Sequence, residues 1–297
     1  MTQNTVSIKL NDKEIKEFSD IMKALGWIIK NISNDYVLES FTSPNGSVAT
    51  LYSSGKLVFQ GGESFTEVIS HIQGSKGEKD FIQPHLGVDE VGKGDYFGPL
   101  VVVSCYVNNE FADKLSLLGF DDSKKFTDRK ITELYNHVKD YPYYYPSIVY
   151  PAEYNDLVNI EGNVSILLAK QHSKCIEMGL KDLKKKDVPC HSVVIDQFAS
   201  SKNRILDQLG ELGKKVDVEQ FHRGESDIAV AAASIIARGI FIEEFKKMNE
   251  KYDFIFPKGA SDVINSGIDF VKKYGREELR NVAKVSFRTS QKIFALV

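Results

Sequence analysis

Two acidic residues side by side in a strand-forming run set the terms for this chain. In Gly87-Val-Asp-Glu-Val-Gly-Lys-Gly-Asp-Tyr-Phe-Gly-Pro99, Val88 and Val91 favour extended backbone, and Asp89 and Glu90 stand between them. Successive residues of a strand point to opposite faces, so these two cannot both be surface charges of one amphipathic strand. A bare buried carboxylate is costly unless it is paired or meets a cation. Glycines at 92, 94 and 98, with Lys93 between the first two, let backbone N–H groups approach a phosphate or sugar beside one cation. An acidic pair next to a Gly-Lys-Gly loop points to a hard metal ion held against a phosphodiester. A charged hairpin end with turn glycines is the plainer alternative.

The 297 residues leave room for two domains of ordinary size, and 42% hydrophobic with 27% charged residues is the balance of a folded soluble chain. Residues 1–73 read as a small α+β unit. Thr5–Leu10 alternates like a strand, and Ile15, Phe18, Met22, Leu25 and Ile29 trace one helix face. Residues 36–41, 47–52 and 56–60 read as three strands joined at Pro44-Asn-Gly46 and Ser53-Ser-Gly55, and Phe65, Val68, Ile69 and Ile72 mark a closing helix. One face of that sheet is expected to carry Thr50, Tyr52, Lys56 and Gln60. It suits a nucleic-acid backbone or a wall packed on a second domain. Residues 74–80 form a polar, glycine-containing linker.

The second unit, 81–297, opens with the acidic strand and continues through Leu100–Val107, a β-branched run suited to a sheet centre. Helices are expected at 128–139, 163–178, 204–212 and 226–248, and strands at 142–150, 191–196 and 215–220, giving a mixed sheet covered by helices. Asp196 ends the apolar run Val193–Ile195, where ligands collect at strand carboxyl ends in open α/β sheets. Glu225 precedes an alanine-rich helix, thin enough to lie close against a sheet. A helix dipole also favours an acid there, and Asp227 stays open as the operative carboxylate. Asp89, Glu90, Asp196 and Glu225 are thus four acids at element ends. Unaided they would repel one another, and a pair of Mg²⁺ or Mn²⁺ ions about 4 Å apart resolves that repulsion while serving in-line phosphodiester hydrolysis. Lys124 and Lys125, ahead of the helix at 128, are candidate phosphate contacts or capping-loop residues.

The formal charge of −3 does not announce a nucleic-acid binder, but residues 271–297 hold seven basic against two acidic residues, a possible phosphate footprint or a solvated helix face. Three widely spaced cysteines argue against a disulfide framework and against a zinc site. No apolar run reaches the ~20 residues of a membrane helix, and Met1–Ser7 lacks signal-peptide character. A cytoplasmic monomer is the expectation.

Asp-Glu-Val-Gly-Lys-Gly-Asp-Tyr-Phe-Gly-Pro at 89–99 resembles the signature of bacterial ribonuclease HIII, a relative of ribonuclease HII. Asp122-Ser-Lys-Lys125, Val194-Ile-Asp196, Gly224-Glu225 with Ala231-Ala-Ala-Ser-Ile-Ile-Ala237, and Phe256-Pro-Lys-Gly-Ala260 extend the likeness. Residues 1–73 are similar to that family's TBP-like substrate-binding domain. The resemblance implies an RNase H-like catalytic domain cleaving the RNA strand of RNA/DNA hybrids to 5′-phosphate and 3′-hydroxyl ends. It implies Asp89, Glu90 and Asp196 as metal ligands and Glu225 as the fourth acid. It implies Gly92, Lys93, Gly94, Ser123, Lys124 and Lys125 as substrate contacts. Lys93 stands where ribonuclease HII carries arginine. A point charge in place of a planar fork should hold a single embedded ribonucleotide less well.

Overall fold

The computed structural model describes residues 4–32, 34–72, 82–120, 123–196, 203–221 and 224–297. The expected linker 74–80 lies outside them, as do Asp121 and Asp122. The chain divides into two compact units, Met1–Phe81 and Ile82–Val297.

In the first unit, β1 (Asn4–Lys9), β2 (Ile28–Ile29), β3 (Val37–Thr42), β4 (Val48–Tyr52) and β5 (Lys56–Gly61) form an antiparallel sheet in the order β1-β5-β4-β3-β2. Helices α1 (Asp12–Ala24) and α2 (Thr66–Ile72) complete the unit. Asn11 caps α1 through its side chain, and Glu14 bonds back to the Asn11 N–H at 2.8 Å, closing a capping box. The helix stops sooner than the periodicity suggests. Gly26 adopts φ +77°, and Ile28 and Ile29 pair with Thr42 and Phe41 as an edge strand instead of continuing the helix. Phe18, Phe41, Trp27, Phe59 and Phe65 fill the core with edge-on and stacked ring contacts. The pairings Val48–Gln60 and Thr50–Val58 put Thr50, Tyr52, Lys56 and Gln60 on the opposite sheet face, with Lys9 opposite Lys56 on β1.

The second unit is built on β6 (His85–Val91), β7 (Leu100–Val107), β8 (Tyr144–Val149), β9 (Ser192–Asp196) and β10 (Asp217–Phe221), ordered β10-β9-β6-β7-β8. β10, β9 and β6 run parallel, and β6-β7-β8 are antiparallel, so the sheet is mixed. Every residue of β7 is buried, because helices cover both faces. Val101, Val103, Cys105 and Val107 pack with α3 (Asn109–Leu118), α4 (Asp128–Val138) and α8 (Ile228–Tyr252). The alternate residues Leu100, Val102 and Tyr106, with Leu86 and Val88, pack with α6 (Val164–Lys185). Helices α5 (Pro151–Glu161), α7 (Asn203–Leu206), α9 (Ile264–Tyr274) and α10 (Arg288–Phe294) complete the unit. The expected helix at 204–212 shrinks to α7, a later turn at Gly213–Lys215 and the stretch between. Gly210 and Gly213 press on Glu177, whose carboxylate accepts the Gly213 N–H at 2.6 Å.

The alanine run of α8 lets it lie almost on the backbone of β6. A Cβ added at Gly87 would fall 2.0 Å from the carbonyl carbon of Ala229. Gly87→Ala should therefore force the helix off the sheet and cost roughly 1–3 kcal/mol or more, read as a lowered melting temperature. An unchanged melting temperature would show that α8 is free to shift.

Candidate active site

β6 and β9 run side by side, with Val88 opposite Ile195, and the next residue on each strand is acidic: Asp89 and Asp196. Parallel pairing brings both carboxylates to the same end of the sheet. Glu90 follows on β6 and turns to the other face. The alternation is visible in the partners. Asp89 bonds the hydroxyl of Ser234 on α8, while a carboxylate oxygen of Glu90 lies 3.0 Å from His172 Nε2 on α6. The side chain of His172 is fully buried.

Asp89 is 8% exposed. Burial first, then the negative charge of Glu90, push its carboxyl well above the usual carboxylate range, with Asp196 adding to the rise. Hydrogen bonds from Ser234 and from the Glu90 N–H, the latter 2.7 Å from Asp89 Oδ1, act in the opposite sense. A charged Asp89 is thus unfavourable beside its acidic neighbours, the situation a divalent cation relieves. Among the described residues, no three His, Cys, Asp or Glu side chains are close enough to hold an ion unaided. The donor set is all oxygen, which suits a hard ion such as Mg²⁺ or Mn²⁺.

Glu225 sits in the turn Gly224–Ser226 just ahead of α8, and its side chain lies outside the described residues. The turn itself is pinned to Asp196. The Gly224 N–H donates to Asp196 Oδ1 at 2.9 Å, and a Cβ at Gly224 would come 2.8 Å from the Asp196 Cα. Asp227, open as an alternative, is occupied elsewhere. It is the N-cap of α8, accepting the N–H groups of Ala229 and Val230, and it meets His85 Nε2 at 2.9 Å near the start of β6. The helix therefore begins after Asp227, two residues later than the expected start at Ser226.

Beyond β6 the chain turns at Gly92, with φ +90°. A Cβ there would strike the Pro99 carbonyl oxygen at 2.2 Å, so the tight return of the loop requires glycine. Lys93 and Gly94 are exposed at its tip. Ser123 is placed differently from a substrate contact. It is 5% exposed, its hydroxyl lies 2.7 Å from Ser234 Oγ, and its carbonyl accepts from Arg238. Lys124 and Lys125 of the same turn are exposed. Asp128, next along, is clamped by Arg238 and Lys258. Ser123 thus joins the Lys124–Lys125 turn to Asp89 through Ser234.

Sequence reasoning gives no role of their own to the side chains of His172, Ser234 and Arg238, and it reads Lys284 only as one of the basic residues of 271–297. A histidine inside an apolar helix is the one available sign of the first; the serine and arginine one turn apart on α8 give no comparable sign. Of the seven basic residues of 271–297, six are exposed and one is buried. Lys284 is buried, Arg276 stacks on Phe294 at 4.0 Å, and Arg280 pairs with Asp156 at 2.6 Å.

Residues 86–290 match the family model described as Ribonuclease HII. Curated relatives named Ribonuclease HIII are similar along most of their length. That of Protochlamydia amoebophila is 36% identical, with 86% of each chain covered, and that of Lactococcus lactis is 30% identical, with 97% of each covered. The chain belongs to the ribonuclease HIII family. Among solved structures, a ribonuclease HIII described as Bst-RNase HIII in complex with Mn²⁺ superposes with a TM-score of 0.68 at 24% identity, covering 99% of both chains. Ribonuclease H2 from Pyrococcus horikoshii matches at 0.58 and 22% identity, covering 72% of this chain and 98% of its own. At these identities the two structures speak for the fold, which is RNase H-like in the second unit with a strand-rich unit ahead of it. No helix among the described residues is long and apolar enough to cross a membrane.

The His85–Asp227 pair gives the second unit a pH-dependent brace. Burial lowers the His85 pKa, but the hydrogen bond and charge of Asp227 outweigh it, and the net value lies above the ordinary 6.5. A raised folded value means the stabilisation is complete below about pH 6.5 and fades as pH rises through the folded value. The difference in melting temperature between the wild type and His85→Gln should be largest near pH 5.5 and shrink above neutrality. A difference that grows with pH would reverse the assignment.

Proposed function

We propose that Asp89, Glu90, Asp196 and Glu225 form the cutting centre with which this enzyme hydrolyses the RNA strand of RNA/DNA hybrids, leaving 5′-phosphate and 3′-hydroxyl ends. The observation that carries this reading is the meeting of Asp89 and Asp196 at adjacent parallel strand ends, with Glu90 next in line and the Gly92–Gly94 turn just beyond. Asp89, Glu90 and Asp196 would ligate the metal, and Glu225 would complete the acidic ring from the turn held on Asp196. When bound, two Mg²⁺ or Mn²⁺ ions supply an activated attacking water and charge neutralisation at the leaving 3′ oxygen. Ser234 and the Glu90 N–H orient the Asp89 carboxylate, and His172 orients Glu90. Gly92, Lys93 and Gly94 face the ribose–phosphate backbone, where backbone N–H groups and one ammonium meet phosphate and 2′-hydroxyl oxygens. Discrimination of hybrid from duplex DNA rests on those 2′-hydroxyl contacts, because phosphate contacts are shared by both. Lys124 and Lys125 add phosphate contacts from the turn that Ser123 anchors.

The first unit serves as the TBP-like substrate-binding domain. Its support is the sheet face carrying Thr50, Tyr52, Lys56, Gln60 and Lys9, which mixes aromatic, polar and basic groups as a strand-binding platform does. The working form is a cytoplasmic monomer.

Asp89→Asn should reduce cleavage of an end-labelled hybrid to background while hybrid binding in Ca²⁺ survives; near-normal turnover would remove Asp89 from the centre. On the wild type, cutting of the hybrid with sparing of a DNA duplex holding one ribonucleotide fits a lysine at 93. Cutting of both would mark ribonuclease HII-like behaviour. Deleting residues 1–81 should weaken hybrid binding and leave a shallower loss of affinity with salt than in the full chain, because phosphate contacts have gone. Unchanged affinity would make the first unit a scaffold.

A further inference from the structure

Lys284 has no part in the chemistry above, yet it is the only lysine buried among the described residues, at 0% exposure. Lysine is almost never fully buried without partners. Its partners here are backbone carbonyls of one loop. Nζ donates to Gly98 O at 2.6 Å, to Asp95 O at 2.9 Å and to Pro99 O at 3.4 Å, and it lies 5.5 Å above the ring of Tyr154. That loop is the return of the Gly92-Lys93-Gly94 turn. The Pro99 carbonyl oxygen is also the atom against which Gly92 packs so closely that a Cβ would overlap it.

The rest of the neighbourhood presents Lys284 to the loop. Its own N–H donates to Tyr96 O at 2.8 Å, the Gly98 N–H donates to Val282 O at 3.0 Å, and Phe97 bridges to Ala283. Asn155 on α5 grips both sides of the lysine, donating to Ala283 O at 2.9 Å and accepting the Val285 N–H at 2.9 Å. On the far side of the loop, the Asp95 carboxylate accepts the Gly259 N–H at 2.6 Å.

We propose that Lys284 is a positioning residue that sets the shape of the Gly92–Gly94 turn, and with it the grip on the ribose–phosphate backbone of the hybrid, through a buried ammonium bonded to three loop carbonyls. The inference rests on the reading of that turn as a substrate contact. Three carbonyls need three N–H bonds, which the ammonium has and the neutral amine lacks. Loss of the proton therefore releases one carbonyl, and the longest bond, to Pro99 beside Gly92, is the one to go.

The environment places that change near neutral pH. Burial lowers the Lys284 pKa from 10.5 to about 7, opposed in part by the Asp95 carboxylate. The other titratable groups facing it are Tyr154 and Tyr96, both with phenols pushed up by burial and so neutral across this range. Raising pH through about 7 should loosen the turn and weaken substrate binding, with less effect on turnover at saturation.

The test follows the lysine and the turn separately. In protein carrying ¹³C-labelled lysine, the Lys284 Cε resonance should titrate near pH 7. Amide hydrogen exchange of residues 92–98, corrected for intrinsic pH dependence, should quicken with the same midpoint. Hybrid affinity in Ca²⁺ should fall several-fold between pH 6 and 8.5 on that midpoint too. Lys284→Met, which removes all three bonds, should bind hybrid at pH 6 no better than the wild type does at pH 8.5, raising KM several-fold with a smaller change in kcat. If Lys284→Met does not fold, the three wild-type midpoints decide. A Cε resonance that does not titrate below pH 9, or exchange at 92–98 that ignores its titration, overturns the proposal. Exchange that follows Lys284 while hybrid affinity stays flat overturns the substrate role of the turn and leaves the loop clasp standing. Wild type that fails to cut hybrid in Mg²⁺ or Mn²⁺ instead overturns the functional reading itself.

Discussion

The approach of α8 to β6 is the contact on which the catalytic unit depends. Gly87 without a side chain and the small residues opposite let the helix backbone lie against the strand. That closeness delivers Ser234 to Asp89, seats Asp227 on His85, and leaves the turn Gly224–Ser226 beside Asp196. A larger residue at the crossing would separate these pairs together, since they share one rigid helix. Packing and site assembly are here the same event.

The acids gathered at the strand ends are held in a state that is unfavourable in isolation. Asp89 is buried next to Glu90 with Asp196 adding repulsion, and its carboxyl responds by favouring the proton. Neighbouring dipoles counter only part of that. A site built this way has a standing preference for positive charge, the condition that a divalent cation at the proposed centre would meet. The supporting partners are arranged by strand alternation: α8 serves Asp89 on one face, and α6 serves Glu90 with His172 on the other.

A second network surrounds the substrate side. Arg238 and Lys258 hold Asp128, Arg238 also holds the Ser123 carbonyl, and Ser123 meets Ser234. The glycine turn is supported from the C-terminal segment by Lys284, with Asn155 fixing that segment in place. Of the basic residues that read as a phosphate footprint in sequence, Lys284 thus turns inward while the others stay exposed. Lys284, Arg276 and Arg280 spend their donors or their ring contacts within the protein.

Much of the catalytic unit is legible in the amino-acid order, because its signals are local. A β-branched run gives β7, Val193–Ile195 gives β9, the alanines give a thin α8, and adjacent acids inside a strand announce a site. The family likeness is likewise carried by contiguous motifs. Other features depend on neighbours that sequence order does not reveal. Helix α1 reads longer than it is because Ile29 keeps the helical period, whereas pairing with β3 gives it a better partner after Gly26. A helix over 204–212 does not form because Gly210 and Gly213 fit against Glu177 on α6. The roles of Asp227, Ser123, His172 and Lys284 are decided by tertiary contacts between residues far apart in the chain. Sequence alone determined the family and which groups are candidates for the chemistry, since residue type and strand period are written in it. Tertiary structure decided which of the polar groups are used to hold the fold around the strand ends, because a hydrogen bond is assigned only when distant strands and helices bring its two ends together.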